Sequence, residues 1–96
     1  MKYEIVFAQE ALTDLKRLSA RNRSAIRDAI KTHLRFEPAK ISKSRIKRLR
    51  NLKHPQYRLR INDFRLFYDI VEDRVEILAV VSKSEATTWL DEVGEI

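Results

Sequence analysis

The chain has no cysteine, a single glycine and only two prolines. With no thiol there is no disulfide framework, no thiolate nucleophile and no cysteine-based zinc site. One glycine cannot build a Gly-rich phosphate loop, so Walker-type and dinucleotide-binding motifs are excluded. No apolar run approaches the roughly 18 residues that span a bilayer. Acids appear as early as Glu4 and Glu10, too soon for a signal peptide. The two histidines, His33 and His54, lack metal-ligand spacing. These absences predict a cytoplasmic protein with no membrane partner, no small-molecule cofactor and no metal. Residues 1–96 are enough for one domain with one core.

Acids are also missing from one stretch. Between Lys40 and Arg65 stand ten Lys and Arg residues against one acid, Asp63, a net charge of +9. The rest of the chain carries ten basic residues and thirteen acids, a net of −3, and the two parts give the overall +6. Folding gives no reason to gather like charges, so this segment predicts a polyanionic partner, most simply nucleic acid.

Periodicity supplies the elements. Lys2 to Phe7 is rich in β-branched and aromatic residues and predicts a strand. Ala8, Ala11, Leu12, Leu15 and Leu18 recur at helical spacing, which leaves Asp14 on the wet side. Ile26, Ala29, Ile30, His33 and Leu34 mark a second helix that ends before Pro38. Residues 39–45 read as a connector. Alternation then predicts a strand over 46–51, a break at Lys53-His54-Pro55, and strands over Tyr57–Ile61, Phe64–Val71 and Arg74–Val81. Asn62-Asp63 and Glu72-Asp73 supply tight turns. Ser82 and Glu85 fit a capping box for a last helix, with Ala86, Trp89, Leu90 and Val93 as its stripe and Gly94 as its stop. The sum is an α+β fold: an N-terminal strand and helical hairpin packed on a small, mainly antiparallel sheet, with a short C-terminal helix.

The densest chemistry lies in Tyr57 to Tyr68. Arg58 and Arg60 point to one side of a strand, and a two-residue turn at Asn62-Asp63 brings Arg65 opposite Arg60. Three guanidiniums on one face repel one another unless an anion lies between them, and their planar forks donate paired hydrogen bonds to phosphate. Arg45, Lys47, Arg48, Arg50 and Lys53 complete the patch as candidate RNA contacts. His54, at its border, is either a proton shuttle or a solvated loop residue. His33 reads as a packing residue, and Trp89 as core rather than a base-stacking platform.

The Tyr-Arg-Leu-Arg-Ile-Asn-Asp-Phe-Arg-Leu-Phe-Tyr hairpin, preceded by a strand, a helical hairpin and a basic connector, resembles the RelE/ParE superfamily of bacterial toxins. The segment Ile77 to Glu85 fits the same pattern, and the resemblance spans nearly the whole chain. It implies a RelE-like toxin of a type II toxin–antitoxin system, a metal-independent endoribonuclease that cuts mRNA on the ribosome. It also implies a small, acidic, partly disordered antitoxin as partner. Arg58, Arg60 and Arg65 fall where RelE has the basic residues that hold the scissile phosphate, leaving Lys83 and His54 as candidates for proton transfer. Ser84 and Leu90 stand where RelE carries a catalytic Arg and a functional Tyr. The alternatives are a ParE-like inhibitor of DNA gyrase and a catalytically weakened toxin that serves as an antitoxin-binding module.

Overall fold

The computed structural model describes residues 1–96. In chain order the elements are β1 (Glu4–Phe7), α1 (Gln9–Lys16), α2 (Ala20–His33), β2 (Ile46–Arg48), β3 (Tyr57–Ile61), β4 (Phe64–Val71), β5 (Arg74–Ser82) and α3 (Ala86–Val93). The strands lie side by side as β1-β5-β4-β3-β2. β2 through β5 form an antiparallel meander, and β1 closes the far edge parallel to β5. The α+β fold read from composition and period is the fold observed.

The two central turns work as their residues suggest. Asn62 and Glu72 sit at positive φ (51° and 55°), the left-handed region that tight hairpins need. Asn tolerates this conformation and Glu does so at a cost. The turn at Asn62-Asp63 sets the register Arg60↔Arg65, Leu59↔Leu66 and Arg58↔Phe67. One face of the sheet thereby presents Leu59, Ile61, Leu66, Tyr68, Val75 and Ile77 to Ala11, Ile26, Ile30 and Leu34 of the helical hairpin. Each large apolar side chain removed from water here contributes about 1.5–3 kcal/mol. Ser19 starts α2 by accepting the Asn22 N–H at 3.1 Å. Beyond α2 the connector is held to the core by the buried Tyr68 hydroxyl, which donates to the Pro38 carbonyl at 2.7 Å.

Several local expectations are corrected. The strand expected over 46–51 stops at Arg48, because Asn51 takes a positive φ of 65° and turns the chain. Asp14 is not on a wet face: its carboxylate accepts the Val80 N–H at 2.9 Å. β1 pairs β5 only as far as Ile77, so Asp14 serves a donor that the short edge strand leaves unpaired. Leu12 is 41% exposed and Val93 45% exposed, so neither is a core residue. Ser82 does not cap a helix; its hydroxyl donates to the Glu85 carboxylate at 2.7 Å, and a 3₁₀ turn, Lys83–Glu85, precedes α3. Gly94 does end α3, for a reason other than left-handed geometry. Its φ is −61°, and a Cβ there would lie 2.6 Å from the Leu90 carbonyl oxygen and 3.3 Å from Leu52.

Two predictions follow from these contacts. Tyr68→Phe should lower unfolding free energy by about 1–3 kcal/mol, since it leaves a buried carbonyl unpaired, readable in urea denaturation. For His33, burial first and the Arg45 charge second lower the imidazole pKa below its ordinary value. The unfolded chain then takes up that proton at a higher pH than the folded one. Stability is therefore retained above the ordinary histidine value of about 6.5 and is lost as pH falls below it. His33→Gln should flatten that part of a stability–pH profile.

Candidate nucleic-acid interface

Residues directly opposite in an antiparallel pair point to the same face. The pairs Lys47↔Arg58 and Arg60↔Arg65 therefore put four cations on the sheet face turned away from the helical hairpin. None of the four has a carboxylate partner; the ion pairs of the chain are Lys40–Glu37, His54–Asp69 and Arg74–Glu76. Arg65 is only 8% exposed, an unusual position for an uncompensated charge. Its Nη1 donates to the carbonyls of Asn62 and Phe64, each at 2.9 Å, which fixes the guanidinium over the turn. The Nε of Arg58 is buried without any partner. Burial, then the charges of Arg65 and Arg60, lower the Arg58 pKa from its usual value. Arg58 thus feels the charges of Arg65 and Arg60, and no ion pair compensates any of the three.

α3 gives this face its second boundary. Trp89 stacks on Phe67 with ring centroids 4.7 Å apart and planes at 13°. Ala79, Leu49, Leu78, Val81, Ala86 and Leu90 complete that small apolar cluster. Phe67 is the cross-strand neighbour of Arg58, so the aromatic pair flanks the guanidinium and helps to dry it. Trp89 is core, as its helical spacing suggests. Leu90 faces the same cluster, and Ser84 is exposed on the 3₁₀ turn.

The remaining candidates separate. The Lys83 N–H donates to the Asp63 carbonyl at 2.7 Å, and Lys83, Asp63, Ser82 and Ser84 line a depression of about 410 Å³ at the β3–β4 turn. Lys83 is therefore at the arginine end of the sheet. His54 is not. Its Nδ1 lies 2.6 Å from the Asp69 carboxylate, which also accepts the Gln56 N–H at 2.7 Å. Asp69 is four residues beyond Arg65 on the same strand, about 13 Å along it. His54 borders a cleft of about 420 Å³ with Glu10, Asp69, Glu76 and Glu95, so its surroundings are acidic. The structure does not bring His54 and the arginines together.

The basic segment is also divided. Arg48 points to the opposite sheet face, with its guanidinium 5.2 Å from the Tyr57 ring centroid and Nη1 donating to the Gln56 carbonyl at 2.6 Å. Arg50 and Lys53 are exposed on the irregular link to β3, where the Lys53 N–H donates to the Glu95 carbonyl at 2.6 Å. Only Arg45 and Lys47 of the five upstream cations adjoin the arginine cluster, through the β2–β3 register. Asp69 was not legible as a fixed buried acid, although one acid within Phe64–Val71 was a signal of a polar partner. No group of three or more His, Asp and Glu side chains is arranged to hold a metal ion, and no helix is long and apolar enough to cross a membrane.

A family model described as the ParE toxin of a type II toxin–antitoxin system matches residues 5–87. Among solved structures, the chain is similar to one in the toxin–antitoxin complex RelBE2 from Mycobacterium tuberculosis, at 27% identity and a TM-score of 0.73, covering 85% of this chain and 99% of that one. A mutant of the E. coli toxin RelE in the free state aligns with a TM-score of 0.70 at 23% identity, covering 96% of this chain and 94% of that one. A chain of the RelB–RelE antitoxin–toxin complex from Methanococcus jannaschii aligns at 0.67 and 20% identity, over 88% and 96% of the two chains. At those last two identities the likeness is one of fold. No curated protein sequence matches.

An uncompensated guanidinium with an orphaned donor weakens the free fold. Arg58→Gln should therefore leave urea stability unchanged or raise it by about 1 kcal/mol, the low end for an unpaired donor because water still reaches part of the group. A loss of more than about 1 kcal/mol would show that Arg58 has a structural partner after all.

Proposed function

Since this chain belongs to the RelE/ParE superfamily of type II toxin–antitoxin toxins, we propose that its arginine-lined sheet face grips the phosphodiester backbone of mRNA on the ribosome and promotes its cleavage. The observation that carries this reading is Arg65: a nearly buried cation with no acid beside it, on one face with Arg58 and Arg60. A site of that kind is complete only when an anion enters. Donors already fixed before the anion arrives do not have to reorganise as charge develops, and each such donor supplies a few kcal/mol of transition-state stabilisation.

The cleavage chemistry suited to these residues is attack by the 2′-hydroxyl on the adjacent phosphorus. The 2′-O–P bond forms and the P–O5′ bond breaks, giving a 2′,3′-cyclic phosphate and a free 5′-hydroxyl. The phosphorane-like transition state carries an added negative charge on the non-bridging oxygens, where Arg58, Arg60 and Arg65 would stand. One proton leaves the 2′-oxygen and one is delivered to the 5′-oxygen. Of the titratable groups, Lys83 lies at this end of the sheet and His54 at the other. Lys83 is therefore the better placed for proton transfer. Ser84 brings no charge to the 3₁₀ turn and Leu90 no hydroxyl to α3, so the clamp exceeds the proton-transfer apparatus.

An acidic antitoxin is the second partner of this reading. An apolar groove of about 200 Å³ lies between the helices, lined by Phe7, Leu12, Leu15, Ile26 and Ile30 and flanked by Arg23 and Arg27. Its composition suits an amphipathic helix with an acidic border. The solved M. tuberculosis relative is itself a toxin–antitoxin complex, which supports a partner of that class.

Inhibition of DNA gyrase is the competing reading, favoured by one observation: the matching family model is the ParE one. Induction of the wild type should arrest translation, and ribosome toeprinting should reveal new mRNA 3′ ends. Arg58→Gln with Arg60→Gln should abolish both, with the near-ultraviolet circular dichroism unchanged. Arg65 is left intact in this test because it holds the turn carbonyls. Intact mRNA together with trapped gyrase–DNA complexes would select the gyrase reading instead.

A further inference from the structure

The arginine cluster does not end at β3. The Arg60 N–H donates to the Arg45 carbonyl at 2.9 Å, which continues the register one step past Ile46↔Leu59. Arg45, just before β2, therefore forms one rung with Arg60 and Arg65, directly beside the rung of Lys47 and Arg58. At about 4.8 Å between strands the rung spans roughly 10 Å of backbone. It runs perpendicular to the strands and ends at the open edge of the sheet, since β2 is the last strand.

A separate depression of about 270 Å³ opens at that end, lined by Ser44, Arg45, Arg60 and Asn62 alone. Two arginines, a serine and an asparagine line it, with no acidic and no apolar residue among them. The backbone beneath Arg45 is held in place: the Ser42 hydroxyl accepts the N–H groups of Arg45 and Ile46, each at 3.1 Å, and the Ser42 N–H donates to the Ile46 carbonyl at 3.0 Å. Arg45 also borders a cleft on the hairpin side, where its charge helps to lower the His33 pKa after burial itself. No acid is paired with Arg45 on either side.

We infer that Ser44, Arg45, Arg60 and Asn62 form a second phosphate subsite, so that single-stranded RNA crosses the sheet along the arginine rung and leaves over the β2 edge. Arg60 is shared: it meets the phosphate over Arg58 and Arg65 on one side and the next phosphate, beside Arg45, on the other. The inference rests on the RNA-binding reading and adds the path of the strand. It also assigns different parts to the upstream cations. Arg45 belongs to the subsite and Lys47 flanks it, whereas Arg48 is occupied on the other face.

The test uses a fluorescein-labelled 2′-O-methyl RNA trinucleotide, which cannot be cleaved, and two versions with one phosphodiester or the other replaced by a neutral methylphosphonate. Binding is read by fluorescence anisotropy over a salt series. Arg45→Gln should weaken binding of the all-phosphate probe about tenfold, as expected for one charge-assisted contact, and reduce the log–log salt slope by about 0.7. Neutralising one of the two phosphodiesters should cost wild type the same factor and cost Arg45→Gln nothing more. The melting temperature of Arg45→Gln should match wild type, because the side chain is exposed. If Arg45→Gln binds all three probes as wild type does while Arg58→Gln still loses affinity, the subsite is overturned and the RNA reading stands. If wild type ignores the trinucleotide at low salt, the subsite falls, and toeprinting alone decides the ribosomal reading.

Discussion

The two-residue turn at Asn62 and Asp63 is the constraint on which the rest depends. Side chains alternate with a period of two along a strand, so a slip of one residue between β3 and β4 would exchange the faces. Arg58 and Arg60 would then point at the helical hairpin, and Leu59 and Ile61 at solvent. Because Asn62 accepts a positive φ, the turn closes in two residues and Arg60 meets Arg65. Arg65 in turn fastens the turn through the Asn62 and Phe64 carbonyls. The site thus helps to hold the feature that creates it.

The face carrying the arginines is divided by charge along its strands. Arg60, Arg65 and Lys83 lie toward the β3–β4 turn, while Asp69, Glu76 and Glu10 gather toward the opposite end. Phe67 and Trp89 stand between the two halves and let α3 rest on the sheet. Cations and acids on one surface would otherwise neutralise each other across it. Here the apolar stack keeps them apart, and the positive potential stays concentrated where the guanidiniums are least solvated.

Most of the architecture was legible because it rests on local patterns. Helical spacing identified both hairpin helices, alternation identified β3, and the turn residues at Asn62-Asp63 and Glu72-Asp73 bounded the apolar strands β4 and β5. Register followed from turn chemistry, which is why the arginine face was legible too. What escaped were interactions between residues distant in sequence. Nothing around Asp14 in the chain indicates that Val80 needs an acceptor. Nothing around His54 discloses Asp69, fifteen residues away. Arg48 shows the same limit, since its seat on Tyr57 depends on the neighbouring strand.

The outermost strands have a consequence for how copies of this chain meet. β1 has four residues and β2 three, so both sheet edges are short. The β2 edge is bordered by Arg45, Lys47 and Arg48, and a strand edge studded with cations repels a second such edge before backbone pairing can begin. The cations of the β2 edge are thus gatekeepers against edge-to-edge aggregation. Any polyanion that covered them would cancel that repulsion, and solubility would then have to come from the charge and bulk of that partner.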